Sequence, residues 1–129
     1  MQRGIAVVMA VGLVAGLFAS GLVAKTAQEP SKLTLRNSEP EIYEGFVEAD
    51  RASCERRRKV AVFHDQNRNG VDKSDYRIGS DKTDREGEYE VEGNQAPMGD
   101  RIVAQITRKT LRDGTVCLAK EKGAVALGG

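Results

Sequence analysis

The segment Asp65-Gln66-Asn67-Arg68-Asn69-Gly70-Val71-Asp72-Lys73-Ser74-Asp75 comes nearest, in residue type and spacing, to a chemical site. Asp65, Asn67 and Asn69 place side-chain oxygens at alternate positions of a tight loop. Gly70 permits the turn, and the Val71 carbonyl follows it. Calcium takes roughly six to eight oxygen ligands at about 2.3–2.6 Å, and this spacing offers oxygens in that way. The ligand set it predicts is Asp65, Asn67, Asn69, Val71 and Asp75, with calcium a structural ion and no cofactor required. The twelfth loop position, where an EF-hand has a bidentate Glu, is Tyr76 here, and Arg68, Lys73 and Arg77 weaken the pull on a cation. The competing reading is a polar hairpin loop rich in turn formers.

A second candidate is the run Arg56-Arg57-Arg58-Lys59, four consecutive basic residues after Glu55. Such a run could contact an anionic polymer: a teichoic acid, an acidic glycan or a lipid head group. The competing reading is a solvated loop entering a buried strand, with Asp50 and Glu55 partly offsetting its charge. His64 is the only histidine, which removes histidine-paired metal sites and most nucleophile–histidine dyads within one chain. The glycines punctuate separate turns and form no phosphate-binding loop. No spacing selects a pair of carboxylates, so the expectation is a protein that is not an enzyme.

Cys54 and Cys117 are the two cysteines. They lack the close spacing of a redox-active pair, and in an exported chain they read as one structural disulfide. Export is what the first residues imply. Residues 1–24, MQRGIAVVMAVGLVAGLFASGLVA, carry one Arg, then an apolar run, then small residues, the layout of a secretory signal peptide. An uncleaved anchor is the alternative, and it would be the only contact with a membrane. Residues 25–40 are polar, contain two of the three prolines and read as a flexible linker, with room for a short strand at Leu33 to Leu35.

With 20 Lys+Arg against 19 Asp+Glu, the chain has no basic excess, which argues against nucleic acid as a partner. Residues 25–129 contain 19 Leu, Ile, Val and Phe, a thin supply of core that makes a covalent staple valuable.

The elements that must position these residues are short strands. Residues 42–48, 59–64, 76–79, 88–92, 101–107, 115–119 and 124–127 alternate or form brief apolar runs. Turn signals such as Asn69-Gly70, Glu86-Gly87 and Asp113-Gly114 separate them. About seven strands at this spacing predict an all-β domain over residues 41–129, a β-sandwich. Most of its few aromatic residues are expected in the core.

The order Gly45-Phe46-Val47, Cys54, Lys59-Val60-Ala61-Val62-Phe63, Gly79 to Asp84, Gly87-Glu88-Tyr89-Glu90-Val91 and Cys117-Leu118-Ala119 resembles small exported bacterial proteins of the carboxypeptidase-regulatory-like, or transthyretin-like, group. The most specific part is Thr83-Asp84-Arg85-Glu86-Gly87-Glu88-Tyr89-Glu90-Val91. It is similar to the T-D-x-x-G-x-Y-x-V hairpin of that group and of collagen-adhesin B-type domains. Where the group opens its next strand with Gly and an aromatic residue, this chain has Gly99-Asp100-Arg101-Ile102. The resemblance implies a seven-stranded Greek-key sandwich with a binding, spacing or scaffolding role and an unidentified envelope or extracellular ligand. A calcium-stabilised adhesin-type domain is the alternative.

Overall fold

The computed structural model describes residues 27–73 and 75–127, so the expected signal segment, residues 1–24, lies outside the described residues. Among the described residues eleven strands are present: β1 Gln28–Glu29, β2 Lys32–Leu33, β3 Arg36–Glu39, β4 Ile42–Glu48, β5 Lys59–His64, β6 Tyr76–Lys82, β7 Glu88–Glu92, β8 Arg101–Ile106, β9 Lys109–Thr110, β10 Val116–Cys117 and β11 Lys120–Val125. The only helical turn among the described residues is a short 3-10 segment, Ala52–Cys54, and none of their helices is long and apolar enough to cross a membrane.

The architecture is all-β and built from several sheets. One sheet has the order β11-β8-β5-β6, with every pair antiparallel. In the second, β4 is flanked by β2 and β3 on one side and by β7 on the other. A small third sheet joins β1, β10 and β9. The central strand β5 is Lys-Val-Ala-Val-Phe-His, apolar on both faces as a covered strand requires, and Val60 and Val62 are fully buried. One apolar cluster collects Tyr43 and Val47 of β4, Tyr89 and Val91 of β7, Val60 and Val62 of β5, and Ile102 and Ile106 of β8. The two four-stranded sheets therefore share a single core, an arrangement consistent with a β-sandwich.

Four differences from the expectation have a common cause. Residues 27–40 contain β1, β2 and β3, with Leu33, Ser31 and Asn37 buried, where a flexible linker was expected. β6 runs on to Lys82 and β11 begins at Lys120, while the expected strand at 115–119 shrinks to Val116–Cys117. The added strands are short or polar and lie at sheet edges, where backbone pairing, not side-chain burial, defines them. A hydrophobic pattern does not register such strands.

The two sheets meet closely at the seam between the edge strands β6 and β7. A Cβ on Gly93 would lie 2.4 Å from the Ile78 carbonyl oxygen, and one on Gly79 would lie 2.9 Å from that of Glu92. The outer edge of β7 is capped by carboxylates. The Glu88 N–H donates to Asp84 Oδ1 at 2.9 Å and the Glu90 N–H to Asp81 Oδ2 at 3.1 Å. An edge whose donors are already taken is a poor template for further strand pairing.

Candidate functional site

Cys54 and Cys117 form a disulfide across 63 positions, with Cα atoms 5.5 Å apart. It ties the 3-10 turn to β10, and both residues are completely buried. Closing a loop of this length stabilises a fold by about 4 kcal/mol on the chain-entropy account.

The basic run does not present one uniform surface. Arg57 has φ +55°, a left-handed conformation uncommon for a residue with a side chain, and the chain reverses there. Its N–H donates to the Thr83 carbonyl at 3.0 Å, and Thr83 in turn donates its N–H to the Arg58 carbonyl at 2.9 Å. Arg56, Arg57 and Lys59 are exposed, whereas Arg58 is turned inside and only 1% exposed. Arg58 therefore leaves the expected polymer-contacting set, because its charged group does not reach the surface.

The physical reason is a set of acceptors that matches a guanidinium. Arg58 Nη1 donates to the Cys54 carbonyl at 2.7 Å and to Ser31 Oγ at 3.1 Å. Nη2 donates to the carbonyls of Thr107 and Leu118, each at 2.9 Å. One side chain thereby fastens the segments before β2, before β5, after β8 and after β10. Burial holds its guanidinium below the ordinary arginine value. Among the described residues no carboxylate lies within ion-pair distance of it.

Other cations gather around this pole. Lys59 stands directly opposite Lys82 across β5 and β6. Lys109 Nζ donates to the carbonyls of Arg56 at 2.9 Å and Ser53 at 3.1 Å, and burial together with Arg58, Arg56 and Arg57 lowers its affinity for a proton. Among the described residues Arg56, Arg57, Lys59, Lys82 and Lys109 form no ion pair.

Beside this pole lies the outer face of β4 and β7. Glu44 is directly opposite Glu90, and Phe46 is directly opposite Glu88. On its other side Glu44 pairs with Arg36. An open groove of about 690 Å³ runs over the face, with Phe46, Glu88 and Glu90 among its lining. Like charges facing each other across strands are destabilising, and here Arg36 offsets the charge of Glu44 from the other side, leaving Glu90 without an ion pair among the described residues. Phe46 is 44% exposed and Tyr76 49%, whereas Tyr43 and Tyr89 are core. The exposed Phe46 was not anticipated. Its neighbour Val47 takes the inward position, and the outward Glu88, Glu90 and Glu92 were legible in the alternation of β7.

The Asp65–Asp75 loop closes on itself. Asp65 is 1% exposed. Its Oδ1 accepts the Asn69 N–H at 3.2 Å, and its Oδ2 accepts the Gly70 N–H at 2.9 Å and Arg101 Nε at 3.0 Å. Burial pushes this carboxyl up, but the donors from Gly70, Arg101 and Asn69 outweigh it and hold the group below the usual carboxylate range. Asp75 accepts the N–H groups of Gln66 and Asp72. The two carboxylates a calcium ion would need are thus engaged by N–H donors, one from a guanidinium, and the residues do not fit the ion as they stand. Among the described residues no group of three or more His, Cys, Asp or Glu is placed to hold a metal. His64 Nε2 lies 2.8 Å from Asp100 Oδ2.

The 83–91 segment forms the expected tight turn but not a hairpin, because β6 pairs with β5 and β7 with β4 in the other sheet. Asp84 Oδ1 accepts the N–H groups of Glu86 and Glu88, both at 2.9 Å, and Gly87 has φ +82°. Tyr89 points into the core and donates its hydroxyl to the Thr34 carbonyl at 2.5 Å. The chain matches no protein-family model, no curated protein and no solved structure.

Proposed function

We propose that the protein is a non-enzymatic binding or structural module that works outside the cytoplasm, at the cell envelope or beyond it, and that its disulfide-stapled pole contacts an anionic envelope polymer. The observation carrying this reading is that Arg56, Arg57 and Lys59 are exposed and, among the described residues, form no ion pair, while Arg58 and the disulfide fix the turn that bears them. Surface cations without intramolecular partners are free to meet phosphates or carboxylates of a ligand. The Cys54–Cys117 bond is compatible with an oxidising compartment. The Asp84 turn, whose carboxylate accepts the Glu86 and Glu88 N–H groups, supports the resemblance to transthyretin-like Greek-key modules, which the proposal adopts as the finer fold reading.

The test is retention of the purified protein on an immobilised acidic polysaccharide, compared with an Arg56→Ser, Arg57→Ser double variant. Elution of the variant at clearly lower salt is the expected result. Equal elution of the two proteins removes the polymer-binding reading.

A further inference from the structure

The basic turn and the acidic sheet face are neighbours, and their adjacency has a consequence beyond polymer binding. Arg57 donates its N–H to Thr83 at 3.0 Å, one residue from Lys82 and one from Asp84. A Cβ on Gly87 would sit 3.3 Å from the Glu55 Cβ, so the segment leading into β7 lies against the turn that carries Arg56 and Arg57. One continuous surface therefore holds a positive half, Arg56, Arg57 and Lys82, beside a negative half, Glu88 and Glu90. Neither half is neutralised: among the described residues none of these five side chains forms an ion pair. Glu44 is excluded from the count because Arg36 already pairs with it. At the edge of the negative half stands Phe46, 44% exposed on a strand whose other face is core.

We infer that the occupant of this sheet face is a second copy of the chain, joined about a two-fold axis. A two-fold interface uses the same patch on both partners, so the patch must complement itself. A surface with its positive and negative halves side by side meets that condition: rotation by half a turn brings the arginines of each copy onto the glutamates of the other. The same contact brings a cation to Glu90, which has no ion pair of its own among the described residues, and covers Phe46. The alternative occupant, an unrelated cationic partner, would satisfy Glu88 and Glu90 but would leave Arg56 and Arg57 unmatched. Both halves are exposed and charged, so the association is steered by charge and sensitive to salt.

Sedimentation equilibrium of the oxidised full chain tests this without any added polymer, which would compete with the second copy for Arg56 and Arg57. At an ionic strength of about 0.01 M, where the Debye length is about 30 Å, a dimer is expected. At about 1 M, where it is about 3 Å, the dimer dissociates. Arg56→Glu with Arg57→Glu, and separately Glu88→Lys with Glu90→Lys, should each weaken self-association at least about tenfold, a difference of about 1.4 kcal/mol. Mixing the two charge-reversed proteins in equal amounts should restore a dimer containing one of each, because every reversed group then meets its opposite. All four positions are exposed, and far-ultraviolet circular dichroism checks that each variant is folded. A monomeric parent at low ionic strength overturns the inference. So does unaltered self-association of either variant, and so does failure of the folded mixture to form the mixed dimer.

Discussion

Replacing Arg58 by Met tests whether the buried guanidinium organises the disulfide pole. Met keeps the length and apolar stem of the side chain but removes its donors. Four acceptors then lose their partner: the carbonyls of Cys54, Thr107 and Leu118, and Ser31 Oγ. The bonds to Thr107 and Leu118 are only part-buried, so water can replace them, whereas those to Cys54 and Ser31 are buried. An orphaned buried acceptor costs about 1–3 kcal/mol, and ending the desolvation of the guanidinium returns part of that, so a net loss of about 3 kcal/mol is expected. Total stabilities of about 5–15 kcal/mol make this a large fraction. A domain of this size loses about 4–8 °C in Tm per kcal/mol, so the melt should fall by about 12–24 °C. Urea unfolding of the oxidised protein measures the change, with Arg56→Met and Arg57→Met as exposed controls expected to move stability by less than about 0.5 kcal/mol. Arg58→Lys keeps a charge but cannot reach four acceptors, and it should fall between Met and the parent. If Arg58→Met lies within about 0.5 kcal/mol of the parent, the guanidinium does not fasten the pole and the reasoning fails.

Cys54→Ser with Cys117→Ser should cost about 4 kcal/mol, and combining it with Arg58→Met should give a non-additive loss in urea unfolding, because both devices act on the segment around Cys54. Asp65 has its carboxyl held below the usual range, so its stabilising effect is present above the unfolded value of about 3.9 and is lost as pH falls through the folded one. Asp65→Asn should therefore lower the melting temperature at neutral pH and flatten its fall below about pH 4; an unchanged acid profile would count against the Arg101 and loop contacts. Gly87→Ala would set a Cβ 2.3 Å from the Val47 carbonyl oxygen at φ +82°, and a loss of more than about 2 kcal/mol is expected, against about 1 kcal/mol for Gly114→Ala, which has a similar φ but no neighbour within 4 Å. Because the Asp65 and Asp75 oxygens already accept N–H groups, millimolar calcium should leave the melting temperature of the EDTA-treated protein unchanged, and a calcium-selective rise abolished by Asp65→Ala would show that the loop reorganises around the ion.

What the sequence revealed and what it concealed divide along a physical line. β5 and β7 could be read to the residue because Lys59–His64 carries a continuous apolar run and Glu88–Glu92 alternates, and the two cysteines were paired by compartment. The Asp84 turn was legible because its carboxylate acts on N–H groups only two and four residues away. Arg58 was not legible, since its fate depends on carbonyls 49 and 60 positions distant that chain folding brings together. Nothing in Arg-Arg-Arg distinguishes the third member from the first two. The left-handed turn at Arg57 makes that distinction, directing one guanidinium inward while its neighbours stay in solvent. The Asp65 loop shows the same limit from the other side. Its spacing offers oxygen-bearing side chains, but Arg101, 36 positions away, supplies the cation that the local sequence left to calcium. A charged side chain becomes part of a site or part of the scaffold according to which partners the fold delivers to it, and at both places β8 or the chain that follows it adds distant partners to the nearer ones: Thr107 and Leu118 to Arg58, and Arg101 to Asp65.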